Sequence, residues 1–284
     1  MSSMGFDRRL GNGRLRAAWL VCQRDLRGLL FSPGTYLVVL LAGLAAHLFL
    51  NTLAQSIADS GLAVLSGAFN LPIYSVLFVT GLFLALASVT SISREREQGT
   101  LEVLFYGPID VAAYIGGKLV SFGLAYLGLL ALYLVCYALF AGSTGFAFAV
   151  PTWAVIGLSI PVVMHVVALG TFVSTATRRV RASLAWFLLI LLVLLALQFS
   201  PDLLELAPVG NRFYPPLRLA RIVLERINQA FTWVSPFALL IKGTEAVRRA
   251  DTLLYVYTAA ISSCSVLVLA AGSMYLMWKG GVRS

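Results

Sequence analysis

The sequence Ser91-Ile-Ser-Arg-Glu-Arg-Glu-Gln-Gly-Thr-Leu-Glu-Val-Leu-Phe-Tyr-Gly-Pro-Ile-Asp110 lies between two long apolar stretches, residues 73–92 and 112–140. The two stretches decide the fold, because each is long enough to cross a membrane as a helix. The segment between them carries both signs of charge and then a short apolar run. That combination favours a loop and short helix pressed into the groove of another protein over a merely solvated link.

The composition indicates a membrane protein. Hydrophobic residues make up 60% of the 284 residues and charged residues 12%, against about 45–50% and about 25% in average proteins. The mean hydropathy is +0.89, and a soluble chain cannot hide this much apolar surface. The net charge of +9 arises from basic residues that flank apolar stretches, so it predicts membrane orientation and no nucleic-acid partner. The three cysteines form no metal-binding spacing or disulfide framework and are expected to be buried small hydrophobes.

Six apolar stretches have the roughly 20 residues that a membrane-crossing helix needs. They predict an all-α membrane domain with six spans, covering residues 1–284 as one unit. An arginine-rich segment without a small-residue cleavage site precedes the first stretch, which is therefore predicted to be a retained span. The stretches are residues 34–54, 73–92, 112–140, 152–176, 182–199 and 252–278.

The distribution of lysine and arginine predicts the orientation. Basic residues occur in the N-terminal segment, the second and fourth connections and the tail, whereas the first and third connections carry none. The long fifth connection has seven, offset by five acidic residues. By the positive-inside rule, both termini and the connection at residues 93–110 are expected to be cytoplasmic, in a multi-pass protein of the plasma (inner) membrane.

Residues 15–31 are amphipathic and precede the first span. Their apolar side chains recur close to a 3.6-residue period, which predicts a helix lying in the cytoplasmic interface with Trp19 among the headgroups. A solvated helix is the alternative. Ser32-Pro33-Gly34 is expected to end this helix and turn the chain into the first span.

The outer connection, residues 200–251, contains two further segments. Residues 217–231 have helical apolar spacing, and residues 231–241 form an apolar run that is too short to cross. The run predicts a re-entrant segment that dips into the outer leaflet between neighbouring spans. The residues assigned to this segment are Trp233, Ser235 and Pro236.

The sequence predicts no catalytic site and no metal site. The expected spans contain no Asp or Glu, which argues against an ion-coupled carrier. His47 and His165 lie nearest mid-span, and a packed, hydrogen-bonded histidine is favoured over a haem or metal ligand. Lys118 is expected to snorkel to the cytoplasmic surface. Its Gly116-Gly117-Lys118 context lacks the first glycine, the Ser/Thr and the strand of a phosphate-binding loop. Any ATP and Mg²⁺ are therefore expected on a partner.

The motif resembles the ABC-2 type membrane subunits of ABC transporters. In that family a pattern of the type E-R-E-x-G-T-L-E-x-L, followed by a proline and a G-K, lies between the second and third spans. The sequence Arg24-Asp25-Leu26-Arg27 and the following Ser32-Pro33 are similar to the small permeases of the copper-maturation and gliding-associated branch. The matching positions are Glu95, Arg96, Glu97, Gly99, Thr100, Leu101, Glu102, Leu104, Pro108, Gly117 and Lys118.

The resemblance implies a permease that is not itself an enzyme, pairs with separate ATPase subunits and forms a homo- or heterodimer. Gly99 is expected to turn the chain and Thr100 to cap a short coupling helix with Glu102 near its positive end. Leu101, Leu104 and Phe105 are expected to present an apolar contact, rimmed by charges. The residues assigned to ATPase coupling are Arg94, Glu95, Arg96, Glu97, Gly99, Thr100, Leu101, Glu102, Leu104, Phe105, Pro108, Arg178, Arg179 and Arg181.

Three functions remain open at this point. The first is a permease that moves a substrate, by expectation outward, at the expense of ATP hydrolysed on its partner. The second is a membrane-anchoring or mechanotransmitting subunit of an ABC-like complex that moves no solute. The third is a membrane-embedded enzyme, which the lack of clustered catalytic groups disfavours.

Overall fold

The computed structural model describes residues 3–60, 70–106, 109–144, 150–205, 222–226, 228–229 and 231–279. These residues are helical apart from short turns, and no strand occurs among them. The helices are α1 (Ser3–Leu30), α2 (Pro33–Ser60), α3 (Asn70–Glu97), α4 (Thr100–Phe105), α5 (Val111–Thr144), α6 (Val150–Ala176), α7 (Val180–Glu205), α8 (Pro236–Arg249) and α9 (Thr252–Lys279).

Six of these helices are long and apolar enough to cross a membrane, which confirms the all-α, six-span prediction. They are α2, α3, α5, α6, α7 and α9. Helix α3 continues through the charged motif to Glu97, where a loop was expected after residue 92. Glutamate and arginine are good helix formers, so charge alone does not end a helix there.

The centre of the bundle is the α3–α6 pair, which makes the most extensive contact between two helices. A Cβ atom on Gly170 of α6 would meet the Ser88 hydroxyl and lie 3.0 Å from the Ala85 carbonyl oxygen of α3. The backbones therefore approach closely, as small residues allow in membrane helices. Helix α9 packs on α6, and α2 packs on α3.

Helix α1 packs along α5 with one face and exposes the other. Ala17, Val21 and Cys22 are buried, whereas Leu15 and Trp19 are largely exposed. The helix spans Ser3–Leu30, so it begins well before the predicted residue 15. The turn into α2 is held by Thr35, whose hydroxyl donates to the Leu29 carbonyl at 2.6 Å. The position of α1 in a membrane interface stays a prediction.

Helix α8 follows the turn at residues 231–235 and packs on α6 and α9. Ser235 is its N-cap and Pro236 stands in its first turn, so α8 begins inside the apolar run at residues 231–241 that was predicted to re-enter the bilayer. A Cβ atom on Gly243 would clash with the Leu158 side chain of α6. Of the predicted amphipathic helix at residues 217–231, residues 222–226, 228–229 and 231 are helical, and the others lie outside the described residues.

Candidate functional site

The charged motif surrounds a tight turn between α3 and α4. Gly99 has φ 69°, a left-handed conformation that favours glycine. The prediction that Thr100 caps α4 is wrong: Gly99 occupies the N-cap position and makes no side-chain cap. The Thr100 hydroxyl instead donates to the Glu95 carbonyl at 3.0 Å and so holds the end of α3. Glu102 stands in the first turn of α4, as predicted.

The apolar face of α4 is turned inward, contrary to the prediction that it faces a partner. Leu101 is buried in the core, and Leu104 and Phe105 are half-buried against it. The Phe105 ring meets the Tyr114 ring of α5 edge-on, with centroids 5.6 Å apart. The same period-3.6 pattern serves a contact inside the chain as well as one with a partner, so the sequence did not distinguish them.

The exposed side of α4 includes Glu102, which was assigned to partner contact from the sequence, and two residues that were not, Val103 and Tyr106. Val103 is 69% exposed and Tyr106, just after the helix, is 90% exposed. Glu102 is exposed beside them. Since exposed aromatic side chains are common anchors of protein interfaces, Val103 and Tyr106 are candidates for partner contact. Pro108, which was also assigned to the contact, lies outside the described residues.

Glu95 belongs to a partly buried ion-pair cluster rather than to a solvated rim. Its Oε1 atom accepts from Lys118 Nζ at 3.0 Å and from Arg24 Nη2 at 2.6 Å. Its Oε2 atom accepts from the Tyr114 hydroxyl. Asp25 completes the cluster, because its Oδ2 atom accepts from Lys118 Nζ at 2.9 Å. The ion-pair cluster therefore comprises Arg24, Asp25, Glu95 and Lys118.

The prediction that Lys118 snorkels to the cytoplasmic surface is wrong. Its side chain is only 2% exposed, and its charge is balanced inside the chain by two carboxylates. Such burial is tolerable because the four charges sum to zero and each is hydrogen-bonded. Partial burial lowers the pKa of Arg24, but the negative charges of Asp25 and Glu95 outweigh it and raise that pKa. The Arg24 guanidinium is thus held in its charged form.

Arg96 and Glu97 connect α3 to the turn between α6 and α7. Arg96 Nη1 donates to the carbonyl oxygens of Thr175 at 3.2 Å and Thr177 at 2.8 Å, at the C-terminus of α6. Glu97 Oε1 accepts from the Val180 backbone N–H at 3.0 Å, at the start of α7. These bonds satisfy helix-end groups that have no partner within their own helix.

The coupling end of the bundle is the end where these contacts meet, with residues 94–106 at its centre. Three consecutive side chains there reach different elements: Glu95 reaches α1 and α5, Arg96 reaches α6, and Glu97 reaches α7. All three were assigned to partner contact from the sequence. Arg24 and Asp25 also belong to the site; both occur in the sequence that resembles the family, but no local pattern indicated their partners.

Four arginines of the coupling end point outward. Arg94, Arg178, Arg179 and Arg181 are exposed, and no described acidic side chain pairs with any of them. They lie beside the ends of α3, α6 and α7 that Arg96 and Glu97 tie together. The result is a set of exposed cations at the same end of the bundle as α4.

The opposite end of the bundle carries α8. Tyr255 at the start of α9 donates its hydroxyl to the Ala154 carbonyl near the start of α6, at 3.0 Å. Trp233 packs edge-on against Tyr257, with centroids 5.4 Å apart, and Lys242 Nζ lies 3.7 Å from the Trp233 centroid. Burial lowers the pKa of Lys242. Trp233, Ser235 and Pro236 thus fix how α8 starts, and re-entry into a bilayer stays a prediction.

The histidines and cysteines are dispersed. Among the described residues, no three His, Cys, Asp or Glu side chains are grouped as metal ligands. His165 is buried with no partner for Nδ1, whereas His47 lines a groove of about 310 Å³ between α2 and α5. Cys22 is buried as predicted, but Cys136 and Cys264 are exposed on the helix surfaces, so the prediction for these two is wrong.

Comparison with known proteins agrees with this architecture. The model of the family described as ABC-2 family transporter protein matches residues 24–279, most of the chain. The match begins at Arg24, the first residue of the ion-pair cluster. No curated protein matches the chain. Because the family model covers far more than half of the sequence, the chain belongs to the ABC-2 transporter family and is a membrane permease component of an ABC transporter.

Proposed function

We propose that this chain is the membrane-spanning subunit of an exporter that is driven by ATP hydrolysis on a separate ATPase subunit. ATP and Mg²⁺ bind that partner. Two permease chains, identical or related, form the path between them, as the family implies. We propose in addition that the chain belongs with the copper-maturation and gliding-associated permeases, a proposal supported by the similarity of the Arg24–Arg27 and Ser32-Pro33 sequences.

The orientation proposed is the one in which the coupling end is cytoplasmic, at the plasma membrane. Arg94, Arg178, Arg179 and Arg181 cluster at that end, and the positive-inside rule places such residues on the cytoplasmic side. An even number of spans puts both termini on the same side. ATP is supplied there, so the end that carries the motif is the end that an ATPase can reach.

The observation that carries this proposal is the exposed side of α4. Val103 and Tyr106 stand 69% and 90% exposed at the coupling end, and four outward-pointing arginines lie at the same end of the bundle. Interfaces with soluble partners commonly combine aromatic anchors with a polar rim. Leu101, Leu104 and Phe105 contact the core, so a push on α4 is passed directly to the spans.

A transport cycle requires the partner's ATP state to alter the spans. A ligand shifts a conformational equilibrium only if it binds the two states differently. Helix α4 joins α3 through the Gly99 turn and meets α5 through the Phe105–Tyr114 contact, so it is placed to convert ATPase closure into movement of two spans.

The test is a charge reversal at Glu102. Glu102→Arg costs about 0.3–1 kcal/mol at a helix start, and about 2–5 kcal/mol if it leaves a buried charge of the partner unpaired. The tagged chain is purified from its own membranes, and the co-purified subunit that 8-azido-ATP photolabels is quantified. We expect Glu102→Arg to lose most of this subunit and still insert in the membrane.

The control is Lys279→Glu, a charge reversal on another helix that should retain the subunit. Wild-type retention by Glu102→Arg would contradict the docking surface. The absence of any photolabelled subunit from the unaltered chain would contradict the proposed function itself.

A further inference from the structure

Gly117 and Lys118 of α5 both contact α1. A Cβ atom on Gly117 would lie 2.6 Å from the Ala18 carbonyl oxygen and 3.1 Å from the Val21 Cβ atom. Only glycine therefore lets α1 approach α5 this closely. Lys118, one residue on, is the cation that meets Asp25 of α1. Gly117 thus leaves space for the close approach of α1, and Lys118 forms an ion pair with it.

The same lysine also meets the end of α3. Lys118 Nζ lies 2.9 Å from Asp25 Oδ2 and 3.0 Å from Glu95 Oε1. Arg24 closes the cluster from the side of α1, 2.6 Å from Glu95 Oε1. Three helices are therefore held through one buried ammonium group. Glu95 is four residues from Gly99, and its carbonyl accepts from Thr100, so the cluster adjoins the turn that leads to α4.

We propose that Lys118 is a positioning residue of the transport cycle: with Asp25 and Glu95 it latches α1 to the α3–α4 turn, so that α1 moves with α3 and α5 when the ATPase displaces α4. The latch rests on the proposed function for its role, but its existence is a property of this chain alone. Helix α1 is then a moving part of the coupling end and not only a membrane anchor.

The reactivity of Cys22 reports whether α1 stays packed against α5. Cys22 is 1% exposed, on the face of α1 that packs against α5, and it becomes reachable only if α1 lifts away. Burial and the nearby Asp25 charge raise its pKa. In Lys118→Met, the carboxylates lose a compensating cation, so electrostatics alone would raise this pKa further and slow alkylation. Release of α1 would instead speed it, and the two explanations predict opposite signs.

The first experiment follows alkylation of Cys22 by N-ethylmaleimide in the purified chain carrying Cys136→Ala and Cys264→Ala. We expect Lys118→Met to raise the rate by at least about tenfold. The matched control is Arg14→Met, which removes a cation of α1 whose pair with Asp110 is exposed and 3.5 Å long, and which should leave the rate unchanged. A rate in Lys118→Met equal to or below that of the parent overturns the latch.

Two further variants separate the latch from simple loss of stability. Asp25→Asn with Lys118→Met removes one charge of each sign, so Arg24 and Glu95 remain as a balanced pair. We expect this variant to insert normally and still leave Cys22 reactive. Asp25→Asn alone removes the charge that raises the pKa of Cys22, so its smaller increase is the electrostatic baseline. The double variant should react faster than this baseline, because loss of the Lys118 cation by itself can only raise that pKa. Protection of Cys22 in both would overturn the proposal.

The second experiment tests coupling in the complex with the co-purified ATPase. A bimane probe is placed on a cysteine at Arg16 of α1 or at Gln98, which is exposed beside the end of α3, in a background without the native cysteines. Trapping with Mg·ATP and vanadate is expected to change the emission at both positions in the parent. In Asp25→Asn with Lys118→Met, only the probe at position 98 should respond.

Each failure has a different meaning. An undiminished response at position 16 in the double variant would overturn the latch. No response at position 98 in the parent would contradict the proposed function, while the Cys22 result would still decide whether α1 is latched.

Discussion

Single glycines decide how closely the helices of this bundle pack. Gly170 lies at the α3–α6 crossing and Gly117 lies under α1, and a Cβ atom at either would meet backbone oxygen of the neighbouring helix. Backbone cannot move aside as the end of a flexible side chain can. Gly128 of α5, in contrast, has no heavy atom within 4 Å of the Cβ position.

This contrast gives a prediction at the scale of one residue. Gly170→Ala should destabilise the protein by about 1–3 kcal/mol through overpacking. Gly128→Ala should be neutral or stabilising by up to about 1 kcal/mol, because alanine restricts the unfolded chain. Thermal unfolding of the purified chain in one detergent measures both. Equal midpoints for the two variants would show that the α3–α6 crossing tolerates expansion.

At the scale of the element, the C-terminal end of α3 makes the hydrogen bonds that hold the neighbouring helix ends in place. Arg96 caps the C-terminus of α6 and Glu97 accepts from the start of α7. Within α3, the backbone N–H groups of Ile92 and Ser93 also donate to the Ser174 hydroxyl of α6, at 3.2 and 3.0 Å. The α6–α7 turn and its arginines thus stay in place through α3.

The corresponding prediction compares two neighbouring arginines. Arg96→Met removes a charged donor from two helix-end carbonyls, a loss of about 1.5–3 kcal/mol locally. We expect the α6–α7 turn to fray and trypsin to cleave faster after Arg178 and Arg179. Arg94→Met, which removes an exposed arginine with no described partner, should leave that rate unchanged. An unchanged cleavage rate in Arg96→Met would mean that the α6–α7 turn keeps its conformation without the Arg96 hydrogen bonds.

At the scale of the whole molecule, the two ends of the bundle differ in chemistry. The coupling end combines the ion-pair cluster, the exposed side of α4 and the outward arginines. The opposite end carries α8, whose Ser235 and Pro236 start a helix packed on α6 and α9. This difference between the two ends is consistent with the proposed function, in which a partner binds at one membrane surface and movement of the spans alters the other.

The difference between the two ends predicts a labelling pattern. In a chain without its native cysteines, a cysteine at Gln98 should react with a membrane-impermeant maleimide only after the cells are permeabilised. A cysteine at Arg249, exposed at the opposite end, should react in intact cells. The reverse pattern would invert the orientation and remove the argument that an ATPase reaches α4.

The membrane class, the six spans and the position of the charged connection were predictable from the sequence, because each depends on local properties. A run of about 20 apolar residues crosses a bilayer whatever its neighbours are. Gly99 as the turn was predictable for the same reason, since backbone conformation is set over a few residues. Ser235 and Pro236 were assigned only to a re-entrant segment, and the structure shows that they start α8.

The partners of the charged residues were decided only by the tertiary structure. Lys118 pairs with Asp25 across 93 positions and with Glu95 across 23, and Arg96 finds its acceptors 79 and 81 residues away. Periodicity marks Leu101 as apolar but does not say whether its face meets the core or a partner. Such pairings depend on which helices cross and how closely, a property of the packed bundle that no single segment contains.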